Sequence, residues 1–305
     1  MVPLTRVADF TFLDDHLRRF VVPQQYEDYT PTDHDTWRRI MSLLHPIWLE
    51  CAHSDFLAGL EQTGISLDAI PHIEAIDTCL QTVGWHAVTV DGYVPPEVFM
   101  GLQVRQIIPI ARDIRCPQHL EYTPAPDIVH EAAAHVPMLI NPDYSRIVQR
   151  FGDLSLRAGF NDYDQEVYEA VRVLSDIKED RNATPGDIAA AEAKLMAVTQ
   201  DSRHSTEPSS NGKMLTRLYW WTIEYGLVGE DFDDLKIYGA GLLSSVSESA
   251  NALRGPENGG PELVPLDASA FHLDFDITRP QPQLFVAPCF EAINDLLTEF
   301  EQQYL

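Results

Sequence analysis

Cysteine is scarce in this 305-residue chain, and no two of its four cysteines form a CxxC pair. Cys51, Cys79, Cys116 and Cys289 are spaced too widely to indicate a zinc knuckle or a disulfide framework. Free thiols are typical of a reducing compartment. We therefore expect a cytoplasmic protein whose cysteines are unpaired.

Positive charge is scarce too, because 21 Lys and Arg residues stand against 47 Asp and Glu residues, a net charge of −26. A field of this sign repels phosphate backbones and anionic lipid headgroups. The first twenty residues also lack an apolar stretch long enough for a signal peptide or a membrane span. We expect neither a nucleic-acid partner nor a membrane partner, and the acidity is typical of a well-solvated surface.

Helical periodicity dominates what is present. Apolar residues recur at intervals of three and four from Trp37 to Trp48, which indicates one buried helical face. Similar patterns predict helices near 55–63, 73–83, 128–136, 164–180, 185–198, 214–225 and 290–304. Residues 85–110 show shorter apolar runs, which predict short strands around a loop. The expected fold is mainly α with a few short strands.

Two histidines, His130 and His135, flank a Glu and three alanines in the run HEAAAH. A zinc peptidase would need HExxH, with the histidines four residues apart. On an α-helix a spacing of five turns the side chains about 140° apart, so they could not share a metal. Pro137 denies the helix its next donor, and we expect the last turn to unwind and bring His135 round. Two ordinary hydrogen-bonded histidines are the alternative interpretation.

A carboxylate in an apolar helix is the second chemical signal. Glu224 lies within the run LYWWTIEYGL, and a buried carboxylate needs a cation. Arg217 could supply the charge. A divalent metal fits better, because two imidazoles and one carboxylate form the facial triad of non-haem Fe(II) oxygenases.

Three blocks of the chain resemble one known family. They are YTPAPDIVHEAAAHVPML at 122–139, LYWWTIEYGL at 218–227 and YGAGLLSS at 238–245. In this order they resemble the iron-binding segment, the carboxylate block and the loop behind the iron of the pterin-dependent aromatic amino acid hydroxylases. The resemblance implies a mainly helical catalytic domain spanning 1–305, with Fe(II), a tetrahydropterin such as tetrahydrobiopterin, and O2 as co-substrate.

The resemblance also assigns roles to individual residues. The implied iron ligands are His130, His135 and Glu224. The implied pterin-binding residues are Val94, Phe99 and Glu131. The implied substrate-binding residues are Arg115 for the carboxylate, Thr123 beside it, Pro126 and Trp220 as walls for the ring, and Ser244. Asp127 and Ser244 are also expected to orient the ligating imidazoles.

Two departures from the family pattern stand out. Ala133 and Ala134 precede the second histidine where most relatives have a glycine immediately before it, so we expect a differently shaped helix end. The segment from about 161 to 213 is longer than in compact relatives and resembles a helical insertion of a bacterial subgroup, for which we expect a role as a lid or an interface.

The expected reaction is conversion of L-phenylalanine to L-tyrosine, since Trp220 stands at a wall position where tryptophan hydroxylases usually carry a smaller aromatic residue. Tryptophan hydroxylation and 3-hydroxylation of phenylalanine stay open within the family. Outside it, a zinc hydrolase using the same histidines and a non-catalytic interaction protein are the alternatives. We expect a monomer or a small homo-oligomer.

Overall fold

The structure is a computed structural model that describes residues 13–120, 126–180, 182–200, 210–277 and 279–305. Helices make up most of these residues: α1 Asp15–Arg18, α2 Pro31–Cys51, α3 Ser54–Thr63, α4 Ile73–Leu80, α5 Pro96–Gln103, α6 Val136–Met138, α7 Pro142–Ala158, α8 Asp162–Glu179, α9 Pro185–Thr199, α10 Asn211–Tyr219, α11 Ala240–Leu243, α12 Val246–Asn251 and α13 Phe290–Tyr304. Two further segments, Val129–His135 and Trp220–Glu224, are π-helical. Short 3-10 turns cover Tyr26–Asp28, Gln81–Val83, Pro256–Asn258 and Ala268–Phe271.

The strands form two small sheets. β1 His86–Val90 and β2 Ile107–Ala111 pair in parallel. β3 Leu227–Val228, β4 Lys236–Ile237, β5 Glu262–Pro265 and β6 Gln283–Ala287 form a second sheet in the order β4-β3-β6-β5, in which β3 and β4 are antiparallel. The expected fold, mainly α with a few short strands, is confirmed.

The connection between β1 and β2 contains helix α5, where the sequence predicted a loop. Parallel neighbours cannot be joined by a tight turn, so a crossover element is needed between them. Pro96 occupies the first turn of α5, a position where proline is well tolerated because its missing N–H would have no helical partner. The prolines therefore mark the beginning of a helix.

The core holds the first π-helical segment in place. Ala132, Ala133 and Ala134 are fully buried, and α3 packs directly on the helix end that follows them. The approach is so close that a Cβ atom at Gly59 would lie 2.0 Å from the carbonyl oxygen of Pro137. A side chain at position 59 would therefore displace the end of the segment that carries His135.

Helices α8 and α9 form a hairpin on the outside of the domain. Asn161 and Thr184 cap them through hydrogen bonds with Asp164 and Asp187, and Lys178 pairs with a carboxylate of α9. The buried side chains of α8 include Ala170, Leu174 and Ser175, whereas the buried residue on α9 is Ala191. Helix α8 therefore faces the domain, and α9 covers α8.

No helix in the described part of the chain combines the length and the apolarity that a bilayer span requires. The four cysteines, all of which lie in described ranges, are unpaired.

Candidate metal centre and active-site cavity

The two histidines lie on the π-helical segment Val129–His135. A π-helix bonds each N–H to the carbonyl five residues back, and here the N–H of Val136 donates to the carbonyl of Glu131. Five residues then bring a side chain back to the same face, and the Nε2 atoms of His130 and His135 are 3.2 Å apart. The expected unwinding of the last turn is wrong, because the helix widens and continues into α6.

Glu224 comes from the second π-helical segment and faces both histidines. One carboxylate oxygen lies 3.2 Å from Nε2 of His135, and the other lies 3.3 Å from Nε2 of His130. Arg217, the alternative partner considered above, forms an ion pair with Asp274 at 2.9 Å. The carboxylate therefore meets the two imidazoles.

A second carboxyl group approaches the same point. A carboxylate oxygen of Glu131 and one nitrogen of each histidine all lie within 4.8 Å of one another. Burial raises the pKa of Glu131 to about 8, so this group keeps its proton at neutral pH. Glu224 makes the better metal ligand, because its two oxygens lie closer, one against each imidazole.

The electrostatics of the three groups fit a cation. Burial lowers the pKa of His130 to about 4, which leaves its imidazole neutral. Burial also acts against the charge on Glu224, but His135 and His130 outweigh it and lower the pKa of this carboxyl. Burial disfavours the charged form of His135 as well, yet the Glu224 carboxylate outweighs it and raises the pKa of that imidazole. A divalent metal would replace the proton at His135 as the positive charge.

The block YGAGLLSS packs against the backbone that carries Glu224. A Cβ atom at Gly239 would lie 2.5 Å from the carbonyl oxygen of Glu224, and one at Gly241 would lie 2.6 Å from the ring of Tyr225. The backbone N–H of Gly241 faces the Glu224 carboxyl group and helps to lower its pKa. Glycine is required here for close approach, and Gly241 is a site residue that the sequence reasoning missed.

A cavity of ≈ 290 Å³ opens beside these groups. Its lining contains nine of the residues singled out from the sequence: Val94, Phe99, Arg115, Pro126, His130, Glu131, Trp220, Glu224 and Ser244. His135 is 2% exposed and contributes its nitrogen next to the cavity without lining it. Thr123 lies outside the described residues.

A sequence model of the family described as "Biopterin-dependent aromatic amino acid hydroxylase" matches residues 19–180 and 186–304. The chain belongs to this family. It is therefore a pterin-dependent aromatic amino acid monooxygenase, and the resemblance of the three blocks is confirmed. Membership removes the support for the zinc hydrolase and for the non-catalytic interaction protein.

Curated relatives and solved structures agree with this assignment. Phenylalanine-4-hydroxylase of Pseudomonas aeruginosa is 30% identical and aligns with 89% of this chain and 84% of its own. The enzyme of the same name from Mesorhizobium japonicum is 29% identical over 90% of this chain and 82% of its own. The iron- and phenylalanine-bound structure of phenylalanine hydroxylase from Chromobacterium violaceum is 25% identical and superposes with a TM-score of 0.67, covering 93% of this chain and 88% of that one.

Part of the wall of the hydroxylase cavity is formed by the loop between β1 and α5, by α5 and by Glu131. Val94 belongs to the loop, and the ring of Phe99 packs edge-on against Tyr219 at 6.1 Å. One oxygen of Glu131 is buried without a hydrogen-bond partner in the described part of the chain. A protonated, unpartnered carboxyl at the cavity wall can donate a hydrogen bond to a ligand.

Arg115, which also lines the hydroxylase cavity, is held by a carboxylate. Its Nε and Nη2 atoms donate to the two oxygens of Asp127 at 2.8 Å each, and Nη1 donates to the carbonyl of Ser244 at 2.9 Å. Asp127 also accepts the backbone N–H of His130 at 3.0 Å. The described contacts of Asp127 are thus with Arg115 and with the backbone, whereas its expected partner was an imidazole.

Trp220 is held between two aromatic rings. The Tyr225 ring lies 4.6 Å from it and the Phe275 ring lies 4.3 Å from it, both stacked. A ring clamped on both faces cannot swing, so it presents a fixed edge to the cavity. Phe275, which comes from a turn about fifty residues later, carried no signal in the sequence.

Two tyrosines of the hydroxylase cavity were also missed. Tyr93 lies on the loop after β1, and Tyr168 lies on α8 within the segment interpreted as an insertion. A lone tyrosine in a helix of unknown placement gives no functional signal, because only tertiary structure shows what it faces.

Proposed function

We propose that the protein converts L-phenylalanine to L-tyrosine with a tetrahydropterin and O2, at a single Fe(II) held by His130, His135 and Glu224. The main support is that the Nε2 atoms of His130 and His135 and the Glu224 carboxylate converge on one point, with separations of 3.2 to 3.3 Å. Donors this close can occupy adjacent positions around one metal, as in a facial triad, which leaves further positions open.

The protein's own residues supply binding and orientation. The Arg115 guanidinium would pair with the substrate carboxylate, and Trp220 with Pro126 would form walls against the ring. Val94, Phe99 and Glu131, which line the same cavity, would hold the pterin. When bound, the iron and the pterin would supply the activation of O2. The largely apolar lining of the cavity would limit the water around the reacting ring.

Phenylalanine is favoured as the substrate by two observations. The most similar relatives reported above are named phenylalanine-4-hydroxylase. Trp220 also lines the cavity, at a wall position where tryptophan hydroxylases usually carry a smaller aromatic residue, and it is stacked on Tyr225 and Phe275. Tryptophan hydroxylation and 3-hydroxylation of phenylalanine are the alternatives within the family.

Product analysis tests the reaction. The iron-loaded protein is supplied with tetrahydropterin and air and, in separate incubations at equal concentration, with phenylalanine, tyrosine or tryptophan, and the products are separated by chromatography and mass. Tyrosine from phenylalanine is the expected result. Product from tryptophan alone, or meta-tyrosine as the main product, would contradict the proposal.

Iron analysis tests the ligand set and uses the second carboxyl as its control. We expect one iron per chain, retained in Glu131→Gln and lost in Glu224→Gln. Both variants replace a buried carboxyl group beside the histidines by an amide of nearly the same size, so the comparison shows which of the two groups the metal needs. The opposite pattern would assign the metal to Glu131.

We further propose that residues 1–305 form a single catalytic domain in which 161–213 is a helical insertion. We also propose that the protein is located in the cytoplasm, is a monomer or small homo-oligomer, and has no nucleic-acid or membrane partner. The net charge of −26 and the four unpaired cysteines support this. Light scattering on the eluting protein would measure the mass of the particle. A large assembly would contradict the proposal.

A further inference from the structure

Helix α8 reaches the cavity through one face. Tyr168 and Ser175 are seven residues apart, two helical turns, and therefore lie on the same side of the helix. Tyr168 lines the cavity, and Ser175 is 2% exposed. Arg172 follows Tyr168 by one helical turn and so lies near the same side, where it forms ion pairs with Glu169 and Asp176. The buried side of the helix thus carries two hydroxyl groups, and the charge of Arg172 is balanced by two carboxylates of the same helix.

Ser175 contacts the loop that follows β1. Its hydroxyl group and that of Tyr93 share a hydrogen bond, and Tyr93 also lines the cavity. Burial raises the pKa of Tyr93 to about 12, so the phenol keeps its proton at every pH at which the protein would be used. This bond ties α8 to the loop that carries Val94 and leads into the helix with Phe99.

Tyr168 lies close to the hydrogen bond between Tyr93 and Ser175, and its own hydroxyl oxygen is buried. Within the described ranges that oxygen has no hydrogen-bond partner. A buried hydroxyl group without a hydrogen-bond partner is unfavourable, and such groups in native structures commonly hydrogen bond to a ligand or a water molecule. Two other partnerless polar atoms of the described residues, Nε1 of Trp220 and an oxygen of Glu131, line the same cavity.

We propose that Tyr168 binds the tetrahydropterin by donating a hydrogen bond from its hydroxyl group, and that the Tyr93–Ser175 bond holds the loop in the shape that receives the pterin ring. The inference rests on the proposed function. It gives α8 a role in cofactor binding, which is narrower than the lid or interface expected from the sequence.

The chemistry of the two ligands favours the pterin. A pterin ring carries nitrogen and oxygen acceptors along its edge, whereas the side chain of phenylalanine carries none. The carboxylate of the amino acid would be bound by Arg115, which also lines the cavity. A phenol group placed beside Tyr93 therefore has its natural acceptor on the cofactor.

Binding measured without turnover tests the inference. The iron-loaded protein is titrated with 7,8-dihydrobiopterin in a calorimeter, and phenylalanine is titrated separately. Tyr168→Phe keeps the ring and removes the hydroxyl group, and we expect the pterin to bind about five- to tenfold more weakly while phenylalanine binds unchanged. Tyr163→Phe, the same change on the same helix but outside the cavity lining, is the matched control and should bind the pterin like the unaltered protein.

The loop is tested by a second variant. Ser175→Ala removes the hydrogen bond to Tyr93, and we expect faster amide hydrogen exchange in residues 91–94 together with weaker pterin binding. Unchanged pterin affinity in Tyr168→Phe, or a loss of phenylalanine affinity in its place, would overturn the inference. If the unaltered protein bound no pterin at all, the proposed function itself would fail, and the two failures are therefore distinguishable.

Discussion

The hydroxyl group of Ser244 lies 2.9 Å from Nδ1 of His130 and also donates a hydrogen bond to the carbonyl oxygen of Ala240 at 2.8 Å. A serine has one hydroxyl proton, so the contact with the imidazole must be one in which Ser244 accepts. The ring proton of a neutral His130 is thereby fixed on Nδ1. The lone pair on Nε2 is left pointing at His135 and Glu224, where a metal would bind.

Replacing Ser244 by Ala should therefore weaken Fe(II) binding by roughly tenfold or more, since partners that orient a ligating imidazole contribute about that much. Competition with a chromogenic chelator under anaerobic conditions measures the affinity. Ser249→Ala is the control, because Ser249 is also buried and donates to a carbonyl, that of Leu242, away from the imidazoles. Equal iron affinity in both variants would show that Ser244 does not orient the ligand.

The spacing of His130 and His135 was sufficient to reject a zinc peptidase but not to predict the backbone that unites them. The prediction assumed α-helical geometry and placed the irregularity at Pro137, whereas the π-helical widening lies between the histidines. Such widening costs backbone energy that only the surrounding core can offset, here through the close contact of Gly59 with Pro137. That contact joins residues far apart in the chain, so it cannot be predicted from the sequence around the histidines.

The cavity shows the same limit. Val94, Phe99 and Trp220 were reached because they lie within or near blocks that resemble a known family. Tyr168 and Phe275 were not, because each comes from a distant segment whose position depends on how helices pack. The helical character of most segments was predictable, since apolar periodicity is a local property.

A methyl group at Gly239 should disrupt the support of Glu224. The added Cβ would lie 2.5 Å from both the carbonyl oxygen of Glu224 and the N–H nitrogen of Gly226, neither of which can move alone. We expect Gly239→Ala to lower the free energy of unfolding by about 3 kcal/mol, the upper range for overpacking. Urea unfolding followed by circular dichroism measures the change.

Gly186→Ala controls for the glycine change itself. Its Cβ would lie 3.5 Å from the Thr184 hydroxyl oxygen in the first turn of α9, an ordinary contact. We expect unchanged or slightly higher stability, because alanine favours helix. If Gly239→Ala behaved in the same way, the packing argument for the YGAGLLSS block would be wrong.

Asp127 should matter both for stability and for substrate affinity. Arg115 is 2% exposed and Asp127 is 3% exposed, and Asp127→Asn would leave the buried guanidinium without its counter-charge. We expect a loss of about 3 kcal/mol in unfolding free energy, typical of a broken buried pair, and a raised KM for the amino acid. Asp143→Asn, which breaks the exposed pair with Arg146, should change neither quantity measurably. A raised KM in both variants would point to a general charge effect.

The carboxyl group of Glu248 contacts Tyr225, one of the two rings stacked on Trp220, and should make the stability of the protein depend on pH. Its carboxyl is 6% exposed, accepts a hydrogen bond from the Tyr225 hydroxyl at 3.1 Å and another from the backbone N–H of Gln281 at 3.3 Å. Burial raises its pKa from 4.5 to about 7. Between these two values the folded protein holds a proton that the unfolded chain has lost. Stability should therefore fall as pH rises from about 4.5 to 7 and then level off.

Glu248→Gln removes the titrating group while keeping an oxygen that can accept one of these bonds. We expect the variant to lack the part of the fall in stability that Glu248 causes. At pH 8 its free energy of unfolding should exceed that of the unaltered protein by up to about 3 kcal/mol, the linkage value for a pKa shift of this size. Urea unfolding at several pH values from 5 to 8 gives the comparison, with the exposed Glu257→Gln as the control that should follow the unaltered protein. Because Tyr225 stacks on Trp220, the same urea series should show whether this stacking weakens above pH 7. A Glu248→Gln protein with an unchanged pH slope would mean that the carboxyl is already ionised when buried, stabilised by the hydrogen bonds that it accepts from Tyr225, Gln281 and Ser245.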